Sequence, residues 1–98
     1  ITEADARYLA MNDIKIVEEE LCRVQPVVND LDAVRQLILM DMAFNMGVPR
    51  LCKFKRMWGA IHDRKFDAAG REMLDSRWAK QVGSRATKLS DAMVKGEF

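Results

Sequence analysis

The sequence predicts an all-α protein, a compact multi-helix lobe packed around one buried central helix. Apolar residues recur at spacings of three and four along the chain, which is the helical period, and no segment alternates apolar and polar residues as a half-buried strand does. Residues 37–46 are apolar with two exceptions, which indicates a helix enclosed by others. Because the chain has 98 residues, 49% of them hydrophobic, we expect a single helical domain over residues 1–98.

Charge and rare residue types argue against several classes of function. The chain has 16 basic and 15 acidic residues, a net charge of +1, whereas a domain that holds nucleic-acid backbone is normally clearly basic. No apolar run reaches the roughly 18 residues of a membrane span. The single histidine, His62, has no partner residues with metal-ligand spacing, so we expect no metal and no cofactor. Cys22 and Cys52 are expected to be free thiols.

The first element is predicted to be a long helix over about residues 2–22. Thr2-Glu3-Ala4-Asp5 has the form of a capping box, which would satisfy the first free amides of a helix. An apolar stripe follows at helical spacing, made of Tyr8, Met11, Ile14, Val17 and Leu21. Pro26 ends the segment, and the candidate N-caps of the next helix are Asn29, Asp30 and Asp32.

The next helix, "LDAVRQLILMDMAFNMG", is predicted to be the central one. It leaves almost no polar face, so we expect other helices to surround it, and Gly47 is expected to end it in a left-handed conformation. Asp41 is the one acidic residue within its apolar run. We expect such a carboxylate to form hydrogen bonds with a structural role, or to face a gap at the edge of the domain, rather than to act in catalysis.

Two further helices are predicted after Gly47. Pro49 fits the first turn of a short helix whose apolar residues are Leu51, Phe54, Met57, Trp58 and Ile61. A second helix is expected from Phe66 to Leu74. Its inward residues should be Phe66, Ala69, Met73 and Leu74.

Two helices are predicted to complete the chain. Ser76 is the expected N-cap of a short helix that runs through Gln81 and is broken by Gly83. Ser84 is expected to cap the last helix, which ends before Gly96. Trp78 lies at helical spacing from Leu74 and is expected in the core.

Two segments of the sequence resemble phage-type lysozymes, the endolysin family of the T-even and lambdoid phages. They are "AFNMG" at 43–47 and "SRWAKQVGSRA" at 76–86, which lie in the family's order with no gap between them. The start, "ITEADARYL", is similar to the beginning of that family's long inter-lobe helix. The resemblance therefore covers essentially all 98 residues, and it implies the larger, helical, carboxy-terminal lobe of such an enzyme.

The resemblance also implies an activity, partners and a location. The family hydrolyses the β-1,4 bond between N-acetylmuramic acid and N-acetylglucosamine in peptidoglycan, acting in host cell lysis from the host cytoplasm on the periplasmic wall. Its catalytic glutamate, aspartate and threonine lie in a smaller amino-terminal lobe. We expect that lobe to be absent from this chain, which would be inactive alone. The expected partners are the peptidoglycan glycan strand and that lobe, without nucleic acid.

Four residues are assigned to the site by the same resemblance. Phe44 matches a phenylalanine at the sugar-binding cleft, although ordinary core packing remains an alternative for it. Met57 and Glu72 fall at two further wall positions, where they differ in type from the family's polar residues. Arg85 matches an arginine that reaches the catalytic glutamate across the cleft, so we expect it to lack that glutamate here and to be more exposed. Asp41 stands where an amide is more familiar, and it adds charge to the cleft.

Two other functions remain open. The chain could be a non-catalytic glycan-binding or structural module derived from a lysozyme. It could also be a small helical nucleic-acid binder, against which the near-neutral charge argues.

Overall fold

Helices form all the regular structure in the part of the chain that the computed structural model describes, the backbone of residues 3–98 and the side chains of residues 14–98. A 3-10 turn (Pro26–Asp30) follows the first helix. The α-helices are α1 (Glu3–Val24), α2 (Ala33–Met46), α3 (Val48–Leu51), α4 (Lys55–His62), α5 (Phe66–Leu74), α6 (Arg77–Val82) and α7 (Ser84–Lys95). The predicted all-α class is confirmed. The capping box predicted at Thr2 lies outside the described residues.

Local side-chain chemistry sets the start of two helices as predicted. The Asp32 carboxylate accepts a hydrogen bond from the Arg35 backbone N–H at 3.2 Å at the start of α2. The Ser76 hydroxyl accepts one from the Ala79 N–H at 3.2 Å at the start of α6. No helix in the described range is long and apolar enough to cross a membrane.

One predicted cap is confirmed in part, and another is wrong. Gly47 ends α2 with a positive φ of 88°, as predicted, but its ψ of 147° is extended rather than left-handed helical, because the chain passes directly into α3. Ser84 is the first residue of α7, and Gly83 (φ 62°, ψ −125°) occupies the cap position before it. The left-handed helical conformation occurs instead at Gly96, which ends α7 with φ 73° and ψ 20°.

The single helix predicted after Pro49 is two helices, α3 and α4. The Leu51 carbonyl accepts from the Phe54 N–H at 3.1 Å and from the buried Trp58 indole N–H at 2.9 Å. The Lys55 N–H, which would bond to Leu51 in a continuous helix, donates to the Lys53 carbonyl at 2.8 Å instead. The buried indole therefore takes part in a turn between the two helices.

The core lies between one face of α2 and the surrounding helices. That face carries the buried residues Ile38, Leu39, Met42 and Ala43. At the crossing of α5 and α7, the buried Ser90 hydroxyl donates to the Gly70 carbonyl at 2.9 Å.

Arg35 joins α2 to the end of α7. Its Nε donates to the Met93 carbonyl at 2.7 Å and its Nη2 to the Val94 carbonyl at 3.1 Å. The guanidinium also lies 3.6 Å from the centre of the Phe66 ring. These contacts satisfy carbonyls that the end of a helix leaves free, and they fix α7 beside α2.

The prediction that α2 is surrounded on all sides is wrong. Leu37 is 58% exposed and Phe44 is 52% exposed, so one apolar side of the helix is open. Leu74, predicted to face inward, is also exposed. The neighbouring helices cover only one face of α2, and its open side becomes the floor of a groove.

Candidate functional site

The open side of α2 forms a groove of about 450 Å³, which we call the Phe44 groove. Residues from α1, α2, α7 and the end of the chain line it. They are Ile14, Leu37, Met40, Asp41, Phe44, Arg85, Leu89 and Phe98. The groove is thus mainly apolar, with one acidic and one basic residue.

Phe44 presents an aromatic surface in the groove. It lies in the last turn of α2, and about half of its side chain is exposed. The axial C–H groups of a sugar ring pack well on such a face. The structure therefore leaves Phe44 accessible to a ligand, and the contact with sugar stays a prediction.

Asp41 and Arg85 form an ion pair in the groove. The Arg85 Nε donates to Asp41 Oδ2 at 3.2 Å, and its Nη2 donates to Asp41 Oδ1. This two-point contact joins α2 to the first turn of α7. Arg85 is exposed as expected, and it has a partner, Asp41, that the sequence did not indicate. A carboxylate only accepts hydrogen bonds, whereas an amide both donates and accepts them. The Asp41 carboxylate therefore supplies two acceptors for Arg85.

Glu72 and Met57 lie at a second groove, of about 400 Å³, between the region around α4 and the end of α5. Glu72 is half-buried there. Met57 is fully buried, so the expected direct contact with a sugar is not available in this structure. The side chain instead supports the groove from beneath. These two residues are brought together, but they line a different groove from Phe44 and Arg85.

The second groove also contains cations that sequence reasoning missed. Lys53, Lys55 and Arg56 line it, together with the acidic residues Glu72 and Asp75. The signal was present in the sequence as "KFKR" at 53–56, three cations within four positions. A run of charged residues of this kind is usually solvated surface, so the sequence alone does not predict that these cations belong to a site.

Both cysteines are free, as predicted. Burial raises the pKa of the Cys22 thiol, and the negative charge of Glu18 raises it further. Because the thiolate is the reactive form, Cys22 is poorly suited to act as a nucleophile.

The chain is similar over almost its whole length to two T4-type lysozymes of Dictyostelium discoideum. The protein named "Probable T4-type lysozyme 1" is 24% identical over 99 residues, which covers 98% of this chain and 58% of the relative. "Probable T4-type lysozyme 2" is 28% identical over 90 residues, covering 92% of the chain and 51% of the relative. The chain therefore spans about half the length of these curated relatives.

A phage protein is similar over the same range. The pre-baseplate central spike protein Gp5 of Enterobacteria phage T4 is 29% identical over 101 residues, covering 100% of this chain and 18% of the spike protein. No protein-family model matches the chain.

Proposed function

We propose that this chain, which is a phage-type lysozyme-like domain, is the helical carboxy-terminal lobe of an enzyme that degrades peptidoglycan. In this proposal the enzyme is an endolysin that hydrolyses the β-1,4 bond between N-acetylmuramic acid and N-acetylglucosamine. It would be made in the host cytoplasm and act on the periplasmic wall during host cell lysis.

The half-exposed Phe44 beside the Asp41–Arg85 pair carries this proposal. The three residues give the groove an aromatic face for a sugar ring and charged groups for its hydroxyl and amide groups. They form the groove in a chain that is similar throughout to lysozymes.

The Phe44 groove is proposed as a binding wall rather than as the complete catalytic centre. Glycoside hydrolysis uses two carboxyl groups on either side of the scissile bond, one of them protonated to act as the acid. Asp41 is the one acidic side chain among the described lining residues, and its two oxygens accept from Arg85. We therefore place the catalytic acid on a second lobe. Arg85 would then leave Asp41, or be shared by it, to reach that acid.

Hydrolysis of purified Gram-negative sacculi tests the proposal. The 98-residue chain alone should release no reducing ends, and an amino-terminal lobe supplied as a separate chain should restore turnover. Arg85→Ala should lower the restored rate, whereas the matched control Arg71→Ala, at an exposed arginine on α5, should leave it unchanged. Hydrolysis by the chain alone, or equal effects of the two substitutions, would overturn the assignment.

A second candidate is a non-catalytic glycan-binding or structural module. The similarity to the T4 spike protein favours it, because there the matching region is a small part of a protein named for a structural role. This candidate predicts glycan binding by the chain and no turnover with a correctly folded amino-terminal lobe.

A further inference from the structure

Asp41 and Arg85 are the two charged side chains among the described residues that line the Phe44 groove. The Arg85 Nε donates to Asp41 Oδ2 at 3.2 Å, and its Nη2 donates to Asp41 Oδ1. These two N–H groups form the edge of the guanidinium that matches the two oxygens of a carboxylate. Asp41 therefore occupies an edge of Arg85 that a carboxylate of a ligand could otherwise bind, and the pair carries no net charge.

A carboxylate that enters the groove meets both charges of this pair. The Arg85 side chain is 55% exposed, and it keeps N–H groups that Asp41 does not use. The Asp41 side chain is 28% exposed, so its negative charge also faces solvent. Because the two charges are one hydrogen bond apart, the attraction of a ligand carboxylate to Arg85 is offset by its repulsion from Asp41. Uncharged hydroxyl and amide groups can bind to either partner without that repulsion.

The two sugars of peptidoglycan differ in this one respect. Both carry ring hydroxyls and an acetamido group, but N-acetylmuramic acid also carries a lactyl ether that ends in a carboxylate, whereas N-acetylglucosamine is uncharged. The half-exposed Phe44 ring and the exposed Leu37 give both sugars an apolar surface, which does not distinguish charge. Discrimination between the two sugars therefore depends on the Asp41–Arg85 pair.

We propose that Asp41 determines the specificity of the Phe44 groove. Because it neutralises Arg85, the groove binds uncharged strands of β-1,4-linked N-acetylglucosamine and gains nothing from the carboxylate of muramic acid. This inference rests on the proposed function, which assigns the groove to a glycan, and it widens the class of glycan to strands without muramic acid. With an amide at position 41, the positive charge of Arg85 would have no counter-charge in the described lining, and the groove would favour the muramic acid carboxylate.

Titration of the ¹⁵N-labelled chain with three soluble tetrasaccharides tests the inference. The first contains N-acetylglucosamine alone. The second, the acid form, alternates N-acetylglucosamine with N-acetylmuramic acid, and the third is its amide form, in which the lactyl carboxyl groups are converted to amides. The acid and amide forms have nearly the same shape, so their comparison isolates the effect of charge. The backbone signals of Phe44 and Leu89, which line the groove, report binding. The unmodified chain should bind the acid and amide forms with equal dissociation constants, and it should also bind the first tetrasaccharide.

Substitution of the acidic residue supplies the second arm. Asp41→Asn should bind the acid form about two- to fivefold more tightly than the amide form, the range expected for one solvent-exposed ion pair. Arg85→Gln added to that variant should abolish the preference, which would assign it to Arg85. Asp91→Asn is the matched control, because it removes the same charge from an exposed position on α7 outside the described lining of the groove. That control should bind the two forms equally.

Four results would overturn the inference. They are tighter binding of the acid form by the unmodified chain, no binding of the N-acetylglucosamine tetrasaccharide, no preference in Asp41→Asn, or the same preference in Asp91→Asn. The sacculus assay separates these outcomes from the proposed function. Equal binding of the acid and amide forms without restored hydrolysis would refute the proposed enzyme and keep the role of Asp41. Restored hydrolysis with tighter binding of the acid form by the unmodified chain would do the reverse.

Discussion

Replacing Gly70 with alanine tests the close contact that sets the position of α7, the helix that carries Arg85. A Cβ on Gly70 would lie 2.8 Å from Val94 Cγ2, 3.0 Å from Ser90 Oγ and 3.1 Å from the Ser90 carbonyl oxygen. The valine side chain can rotate away. The Ser90 carbonyl belongs to the backbone of α7, so it can move only if the helix moves.

The expected cost of this substitution follows from three contributions. Overpacking of a tight core typically costs about 1–3 kcal/mol. A shift of α7 would also weaken the buried Ser90–Gly70 hydrogen bond, worth about 1 kcal/mol. Alanine in a helix interior is more stable than glycine by roughly 0.5–1 kcal/mol, which offsets part of this cost. The free energy of unfolding should therefore fall by about 1–3 kcal/mol, a change that lowers the Tm by several degrees.

Urea unfolding followed by circular dichroism measures the effect, and Gly59→Ala is the matched control. Gly59 is exposed on α4, and a Cβ there would meet no heavy atom within 4 Å. Gly59→Ala should therefore raise the free energy of unfolding by roughly 0.5–1 kcal/mol. If Gly70→Ala proved as stable as Gly59→Ala, the contact between α5 and α7 would not be as tight as the structure has it.

Three further outcomes are expected. A double-mutant cycle of Asp41→Asn and Arg85→Gln should give a coupling energy of no more than about 1 kcal/mol in urea unfolding, because both side chains are partly exposed; a value well above that would contradict the exposure. Burial raises the pKa of Asp32, but the hydrogen bonds and charge of Arg35 outweigh it and hold that pKa below its usual value. The resulting stabilisation should be present above the unfolded-state pKa of about 3.9 and should be lost as the pH falls through the lower folded-state pKa. Asp32→Asn should remove this pH dependence from the unfolding curves. An unchanged pH profile would refute the assignment. Phe44→Ala should cost about 1 kcal/mol or less by the same measurement, well below the loss at a buried position, and a cost of 3 kcal/mol or more would show that the ring is core.

Helix boundaries were predictable where the cause is local. Asp32 and Ser76 each bind an N–H only three residues away, so the pattern that identifies the cap is contained in a few letters of sequence. Phe66–Leu74 was predicted with the bounds that α5 has, since its apolar period and flanking polar residues agree. The Ser84 cap failed because the glycine before it took the cap position.

The candidate site depends on distant parts of the chain, and there the sequence was less informative. The periodicity of apolar residues showed that α2 is apolar on almost all sides. Which side of α2 stays exposed depends on which helices pack against its opposite side. Leu37 therefore looked like core, and core packing remained an alternative for Phe44. Asp41 and Arg85 are 44 residues apart, so their pairing follows only from the packing of α7 against α2. The resemblance to lysozymes drew attention to Arg85, whose role across a cleft stays a prediction, and only the structure shows that Arg85 pairs with Asp41.

Glycan binding at the Phe44 groove tests the central claim most directly. The ¹⁵N-labelled chain would be titrated with soluble oligomers of N-acetylglucosamine and N-acetylmuramic acid. If the helical lobe forms a sugar-binding wall, the backbone signals of Phe44, Asp41 and Arg85 should show saturable shifts. These shifts should be lost in Phe44→Ala, while the rest of the spectrum of that variant keeps the dispersion of a folded protein. Absence of shifts in the groove, or the same shifts in Phe44→Ala, would contradict the claim.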